Sequence, residues 1–134
     1  MKTKLKNNGV VLLITIFATA LLSVITIGIL QINTEEIQLM RNQIYAAEAL
    51  AITEAGLNDA FSELRVDSSW NSGFSNKVFD TGSYTVIVSG SLPNLTIEST
   101  GTSAQGFVAK VEADIAVGSI SPYIIGISSM RINE

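Results

Sequence analysis

The chain has no cysteine, no histidine, two prolines in 134 residues, and few charges, with 15% of its residues Asp, Glu, Lys or Arg. An ordinary soluble domain carries about 25%. Without cysteine there are no disulfides, thiolate metal sites, cysteine nucleophiles or lipidated cysteine N-termini. Without histidine the commonest general base and metal ligand is missing. The length allows one domain, or one small domain plus an anchor, and excludes a large α/β enzyme. Basic residues are also scarce, and three of the eight, Lys2, Lys4 and Lys6, precede Gly9. The rest of the chain holds five basic and twelve acidic residues, a formal −7. An acidic body without a basic patch argues against nucleic-acid contact. These absences point to a non-enzyme, and no cofactor is expected.

What the chain does have is a long apolar run. From Val10 to Leu30 there are 21 residues without a charge, and nothing ionises between Lys6 and Glu35. About 20 such residues rising ~1.5 Å each cross a ~30 Å hydrocarbon core. Lysines before the run and Glu35 and Glu36 after it place the N-terminus in the cytoplasm. Three readings of the segment compete. A cleaved secretory signal would end at a small-residue site such as Ala18-Thr19-Ala20, but strongly apolar sequence continues for ten residues beyond it. A plain uncleaved signal anchor is the second. The third rests on Lys4-Leu5-Lys6-Asn7-Asn8-Gly9 directly abutting Val10-Val11-Leu12-Leu13.

That arrangement resembles the leader of a type IV prepilin, which is short, basic, ends in glycine and meets the apolar helix without a spacer. The resemblance implies cleavage by a prepilin peptidase on the cytoplasmic side, between Gly9 and Val10, followed by N-methylation of the new first residue. A protease reaches flexible, exposed backbone most easily. Independently of any family, Thr15, Thr19, Ser23 and Thr26 are spaced 4, 4 and 3. At ~100° per residue they share an arc of roughly 80°. Each hydroxyl either bonds its own preceding carbonyl or joins a small, polar seam where neighbouring helices approach closely. The two roles are compatible.

The helical pattern outlasts the membrane-length run. No proline occurs before Pro93, and Ile37, Met40, Ile44 and Ala47 keep helical spacing, as do Leu50, Leu57, Phe61 and Leu64. About 56 helical residues from Val10 would extend ~84 Å, too long for the membrane alone. The predicted divisions are a leader at 1–9, a transmembrane half at 10–32, an amphipathic half at 33–65 and a loop-plus-sheet head at 66–134. Thr34-Glu35-Glu36, Met40, Asn42 and Tyr45-Ala46-Ala47-Glu48-Ala49-Leu50 are similar to the post-membrane signature of minor pilins and minor pseudopilins. Major pilins carry a glutamate fifth in the mature helix; here the fifth residue is Ile14. An unpaired carboxylate in lipid is costly, so its absence resembles a tip or initiating minor subunit rather than bulk filament.

In the second half, residues 66–82 read as a polar, turn-rich loop, with Trp70, Phe74 and Phe79 as pegs into a core. Three strands follow. Tyr84, Val86 and Val88 share a face; Leu95 and Ile97 alternate with Thr96 and Glu98; Phe107, Ala109, Val111, Ala113 and Ile115 oppose Lys110, Glu112 and Asp114. Glycine-containing links at Gly90 and at Gly101 to Gly106 suit hairpins. The predicted fold is therefore α+β, a long N-terminal helix whose Leu50, Leu57, Phe61 and Leu64 face a small antiparallel meander. Tyr123 to Ile127 is a candidate fourth, edge strand, and the rather apolar C-terminal stretch a candidate docking segment.

Some motifs fail on chemistry. Phe79-Asp80-Thr81-Gly82-Ser83 matches the sequence around an aspartic-protease aspartate, but that reaction needs two carboxylates sharing a proton. Asp-Thr-Gly before a strand is ordinary turn chemistry. Asn94-Leu95-Thr96 fits a glycosylation sequon only by pattern. No spacing supports a metal or calcium site. The resemblance implies a filament subunit of a type IV pilus or type II secretion-like system. Its partners would be the prepilin peptidase, other subunits, the inner-membrane assembly platform and the lipid bilayer. The rival is an uncleaved, membrane-tethered periplasmic binding or adhesion module.

Overall fold

Nothing between Lys6 and Arg65 stops a helix, and none is stopped. In the computed structural model, which describes residues 5–133 and side chains from Gly9 onward, α1 runs over Leu5–Val66. Lys2 and Lys4 of the leader lie outside the described residues. The end of α1 has a local cause. Asp67 accepts from the Ser69 backbone N–H at 2.9 Å and from its hydroxyl at 2.6 Å, a turn that diverts the chain. Arg65 in the last turn suits the negative end of the helix dipole.

The chain divides between Arg41 and Asn42 into two compact units. In the first, α1 is the only element, and the large apolar side chains from Val10 to Leu30 are exposed.

The second unit is α+β. The later part of α1 packs on one five-stranded antiparallel sheet whose spatial order is its chain order: β1 (Phe74–Phe79), β2 (Gly82–Ser91), β3 (Asn94–Thr102), β4 (Val108–Val117) and β5 (Ile125–Asn133). Strict alternation makes β3 and β4 two-faced. Leu95, Ile97, Ala109, Val111, Ala113, Ile115 and Val117 are buried, while Thr96, Glu98, Lys110, Glu112 and Asp114 lie on the opposite, solvated face. Burying a Leu or Ile side chain is worth about 1.5–3 kcal/mol, so Leu57 and Leu64 of α1 against Ile97 and Ile115 hold much of the head together.

Two strands depart from the sequence reading. Residues 66–82 are not all loop, because Phe74–Phe79 pairs with β2 as the edge strand β1. A bulge between Phe74 and Lys77, with Asn76 at φ 47°, breaks its alternation. Of the three aromatic pegs, Trp70 and Phe74 pack against the core and Phe79 is exposed. At the other edge, β5 begins two residues after Tyr123 and continues to Asn133. It too is bulged: Asp114 pairs with Ser129 but Ile115 with Ile127, which leaves Ser128 unpaired and returns Met130 to the inner face. The link after β3 also starts later than expected, since Gly101 lies inside β3 and Phe107 just outside β4.

Candidate functional site

Unit one presents the membrane-length surface. Gly9 and Val10 are both helical and exposed, so the expected processing site lies inside the first turns of α1 rather than in irregular backbone. A Cβ placed on Gly9 would meet nothing within 4 Å, as is also true of Gly28. Intramolecular packing therefore gives no reason for glycine at position 9. The four hydroxyls all bond back to the helix. Thr15 donates to the Leu12 carbonyl at 2.8 Å, Thr19 to those of Thr15 (3.0 Å) and Ile16 (2.9 Å), Ser23 to Thr19 and Thr26 to Leu22, both at 2.8 Å. Each donor is thus satisfied, and the seam shows other molecules hydroxyl oxygens and small side chains among bulky apolar ones.

Unit two is organised by a close approach of helix and sheet. Leu57, Phe61 and Leu64 are buried and Leu50 half-buried, but the nearest approach is made by smaller residues, Ala49, Thr53, Gly56 and Ala60. Thr53 is fully buried, and its hydroxyl, with one proton to give, lies within donating distance of the carbonyls of Ala49 (2.8 Å) and Ala109 (3.0 Å) while accepting the Gly101 N–H at 2.9 Å. In return Ser99 donates to the Thr53 carbonyl at 2.7 Å. A Cβ on Gly101 would lie 2.6 Å from the Thr53 nitrogen and 2.7 Å from the Ala49 oxygen, so only glycine fits there. The sequence reading missed this polar clamp; its signal was the 4, 3, 4 spacing of Ala49, Thr53, Gly56 and Ala60.

A second cluster ties β1 to α1. Lys77 Nζ sits 2.6 Å from Asp59 Oδ2, and the Tyr84 hydroxyl donates to the same oxygen. Lys77 also lies over the Phe74 ring, 4.4 Å from its centroid. The hydrogen bond from Lys77, then that from Tyr84, holds the Asp59 carboxyl below its ordinary value. The Lys77 ammonium is held above its own by Asp59, and burial pushes Tyr84 up. On the outer face Asp114 accepts from Thr96 (2.8 Å), Ser129 (2.7 Å) and Arg131 (3.2 Å), stitching β3 and β5 across β4. Arg131 also pairs with Glu112 at 2.5 Å. Asp80 occupies the two-residue turn between β1 and β2 at φ 50°, which is turn geometry, and the neighbouring Thr81 hydroxyl ties that turn to α1 by donating to Glu48 at 2.6 Å. Among the described residues no group of three or more acidic side chains could hold a metal ion.

A single long apolar N-terminal helix, long and apolar enough to cross a membrane and packed through its later part on an antiparallel meander, is a pilin-like architecture. No protein family, curated protein or solved structure matches the chain. Such a helix near the N-terminus suits a membrane anchor or a signal.

Proposed function

We propose that this chain is a non-catalytic structural subunit, a minor pilin or minor pseudopilin of a type IV pilus or type II secretion-like filament. It is inserted in the bacterial inner membrane with its N-terminus cytoplasmic, trimmed after Gly9 by a prepilin peptidase, N-methylated at Val10, and assembled into the filament or at its tip. The observation that carries this reading is one helix with two kinds of surface, bare and apolar over a membrane's thickness, then small-residued and sheet-covered. A glycine at position 9 that the chain's own packing does not require fits recognition by another protein. Moving the helix from lipid into a bundle of like helices exchanges one apolar surrounding for another, so extraction has a modest hydrophobic cost.

Mass spectrometry of the mature N-terminus in the producing cell tests it. A product beginning at N-methylated Val10 is expected, and Gly9→Leu should leave full-length protein in the membrane. An intact Met1 together with normal behaviour of the Gly9 variant favours a tethered binding module, and a cut near Ala20 makes the segment a secretory signal.

A further inference from the structure

The two edges of the sheet are finished differently. β1 is short, bulged, and turns the Lys77 ammonium inward over Phe74 and Tyr84, devices that blunt an edge. β5 closes the strand order with nine residues, none of them proline or lysine. Its bulge, at Ser128, leaves Ser129–Asn133 a regular run. Among the described residues no other segment hydrogen-bonds the backbone of β5 on the side away from β4. Every second N–H and C=O of an edge strand points that way, so a row of donors and acceptors stands open.

Beside that row lies an apolar groove. Ile127, Met130 and Ile132 on the inner face of β5 are 52%, 48% and 51% exposed, and with Leu57 and Phe61 of α1 they line a volume of about 210 Å³. Glu54 stands on the helical wall of the groove. Among the described residues no basic side chain lies within ion-pair distance of it.

The charges decide which strand fits. A second copy's β5 would bring Ile125, Ile127, Met130 and Ile132 to the inner face and no cation, because Arg131 lies on the outer face, held by Glu112 and Asp114. A second copy's β1 is no better, since its Lys77 is committed to Asp59. From Asn42 onward acidic residues also outnumber basic ones. A strand that fills the groove and answers Glu54 therefore comes from a different protein.

We infer that the β5 edge is a strand-acceptor site, taking an extended segment of another protein as a sixth strand. The inward side chains of that segment are apolar, with a lysine or arginine set against Glu54. Backbone pairing supplies affinity, and the groove beside α1 supplies selectivity. The inference goes beyond the filament reading and does not depend on it, because a filament subunit and a tethered module would carry the same edge.

The probe is a synthetic peptide with capped ends, Thr-Val-Thr-Lys-Thr-Val-Thr, whose one face carries the valines and the lysine. It is titrated into the isotope-labelled full chain in zwitterionic micelles, and amide exchange is read residue by residue. Binding should slow exchange at every second amide of β5, because only those point to the new strand, and should leave β1 unchanged. Glu54→Lys should weaken binding about two- to fivefold, the range an exposed ion pair covers, and a peptide with glutamate in place of its lysine should regain it on that variant. The original peptide with its backbone amides N-methylated keeps every side chain and should not bind. An equal response at β1, binding that survives N-methylation, or no response at β5 overturns the inference. Slowed β5 exchange that grows with protein concentration in the absence of peptide makes the occupant a second copy, and overturns it as well.

Discussion

Replacing Thr53 by valine keeps the shape of the side chain and removes one oxygen from the tightest point of the helix–sheet contact. In the native head that oxygen accepts the Gly101 N–H and shares its one proton between the Ala49 and Ala109 carbonyls, in a position with no solvent access. Ala49 is the i−4 residue and retains the ordinary helical bond of its carbonyl, so its loss matters least. The Gly101 N–H loses this acceptor and no water can reach it, which costs about 1–3 kcal/mol. The isosteric methyl leaves no cavity and returns part of the loss through burial. A net destabilisation of about 2 kcal/mol follows, which for a domain of 60–100 residues lowers Tm by roughly 8–16 °C. The only tryptophan, Trp70, is half-buried with its ring 5.2 Å from that of Phe74. Its fluorescence during heating of the full chain in detergent micelles therefore reports the head rather than the apolar first part of α1. Thr53→Ser, which keeps the oxygen and loses a methyl, should cost about half as much, since one buried methyl group is worth ~0.8 kcal/mol. If the valine variant melted with the native protein, or the serine variant were the worse of the two, the clamp would be packing alone and its hydrogen bonds idle.

Three further outcomes are expected. The Asp59 pair sets a pH dependence: its carboxyl titrates lower folded than unfolded, so its contribution is present above the ordinary carboxylate range of ~4 and fades as pH falls through the lowered value. Raised Lys77 and Tyr84 values give the opposite limb, with stability falling above pH ~10. Denaturant midpoints across pH should show both limbs, and Asp59→Asn should flatten the acid one; an unchanged acid limb counts against the pair. Asp114→Ala, which removes the acceptor shared by Thr96, Ser129 and Arg131, should raise amide exchange in β5 severalfold, while β2 and β3 stay protected. On the proposed filament reading, Thr19→Leu with Ser23→Leu should weaken helix association by ~1 kcal/mol, and unchanged crosslinking between copies would dismiss the seam.

The α+β class and the three inner strands were legible because each carries an unbroken pattern. In β4 the alternation from Ala109 to Val117 is perfect, and the structure buries every second residue. Edge strand β1 was read as loop, and β5 was anticipated only as a short edge strand at Tyr123 to Ile127, for one shared reason. In β5 the apolar inner positions are Ile125, Ile127, Met130 and Ile132, an odd run that turns even at Ser128, where the bulge inserts a residue. In β1 the same break falls between Phe74 and Lys77. A period-two reading cannot cross an inserted residue, because one step reverses both faces. The helix-to-sheet contacts were legible because they follow local periodicity, whereas the proposed roles of Gly9 and the hydroxyl seam depend on other molecules, which local pattern within one chain does not encode.

The deeper regularity lies in how α1 changes composition along its length. Through the first unit its surface is Leu, Ile, Val and Phe, bulky side chains that satisfy a lipid or helical surrounding by presenting area. In the second unit the buried face narrows to Ala49, Thr53, Gly56 and Ala60, which present almost none. A flat sheet cannot interdigitate deeply with large helical ridges, so close contact requires the helix to supply a trough. Gly56 and Gly101 remove the last obstructing Cβ atoms from either side, and the backbones come near enough for Thr53 to bond a strand's N–H directly. Leu57, Phe61 and Leu64 then flank the trough and fill the core beside it. The trough meets β3 and β4, and the sheet's fifth strand keeps Ile127, Met130 and Ile132 about half exposed on the same face.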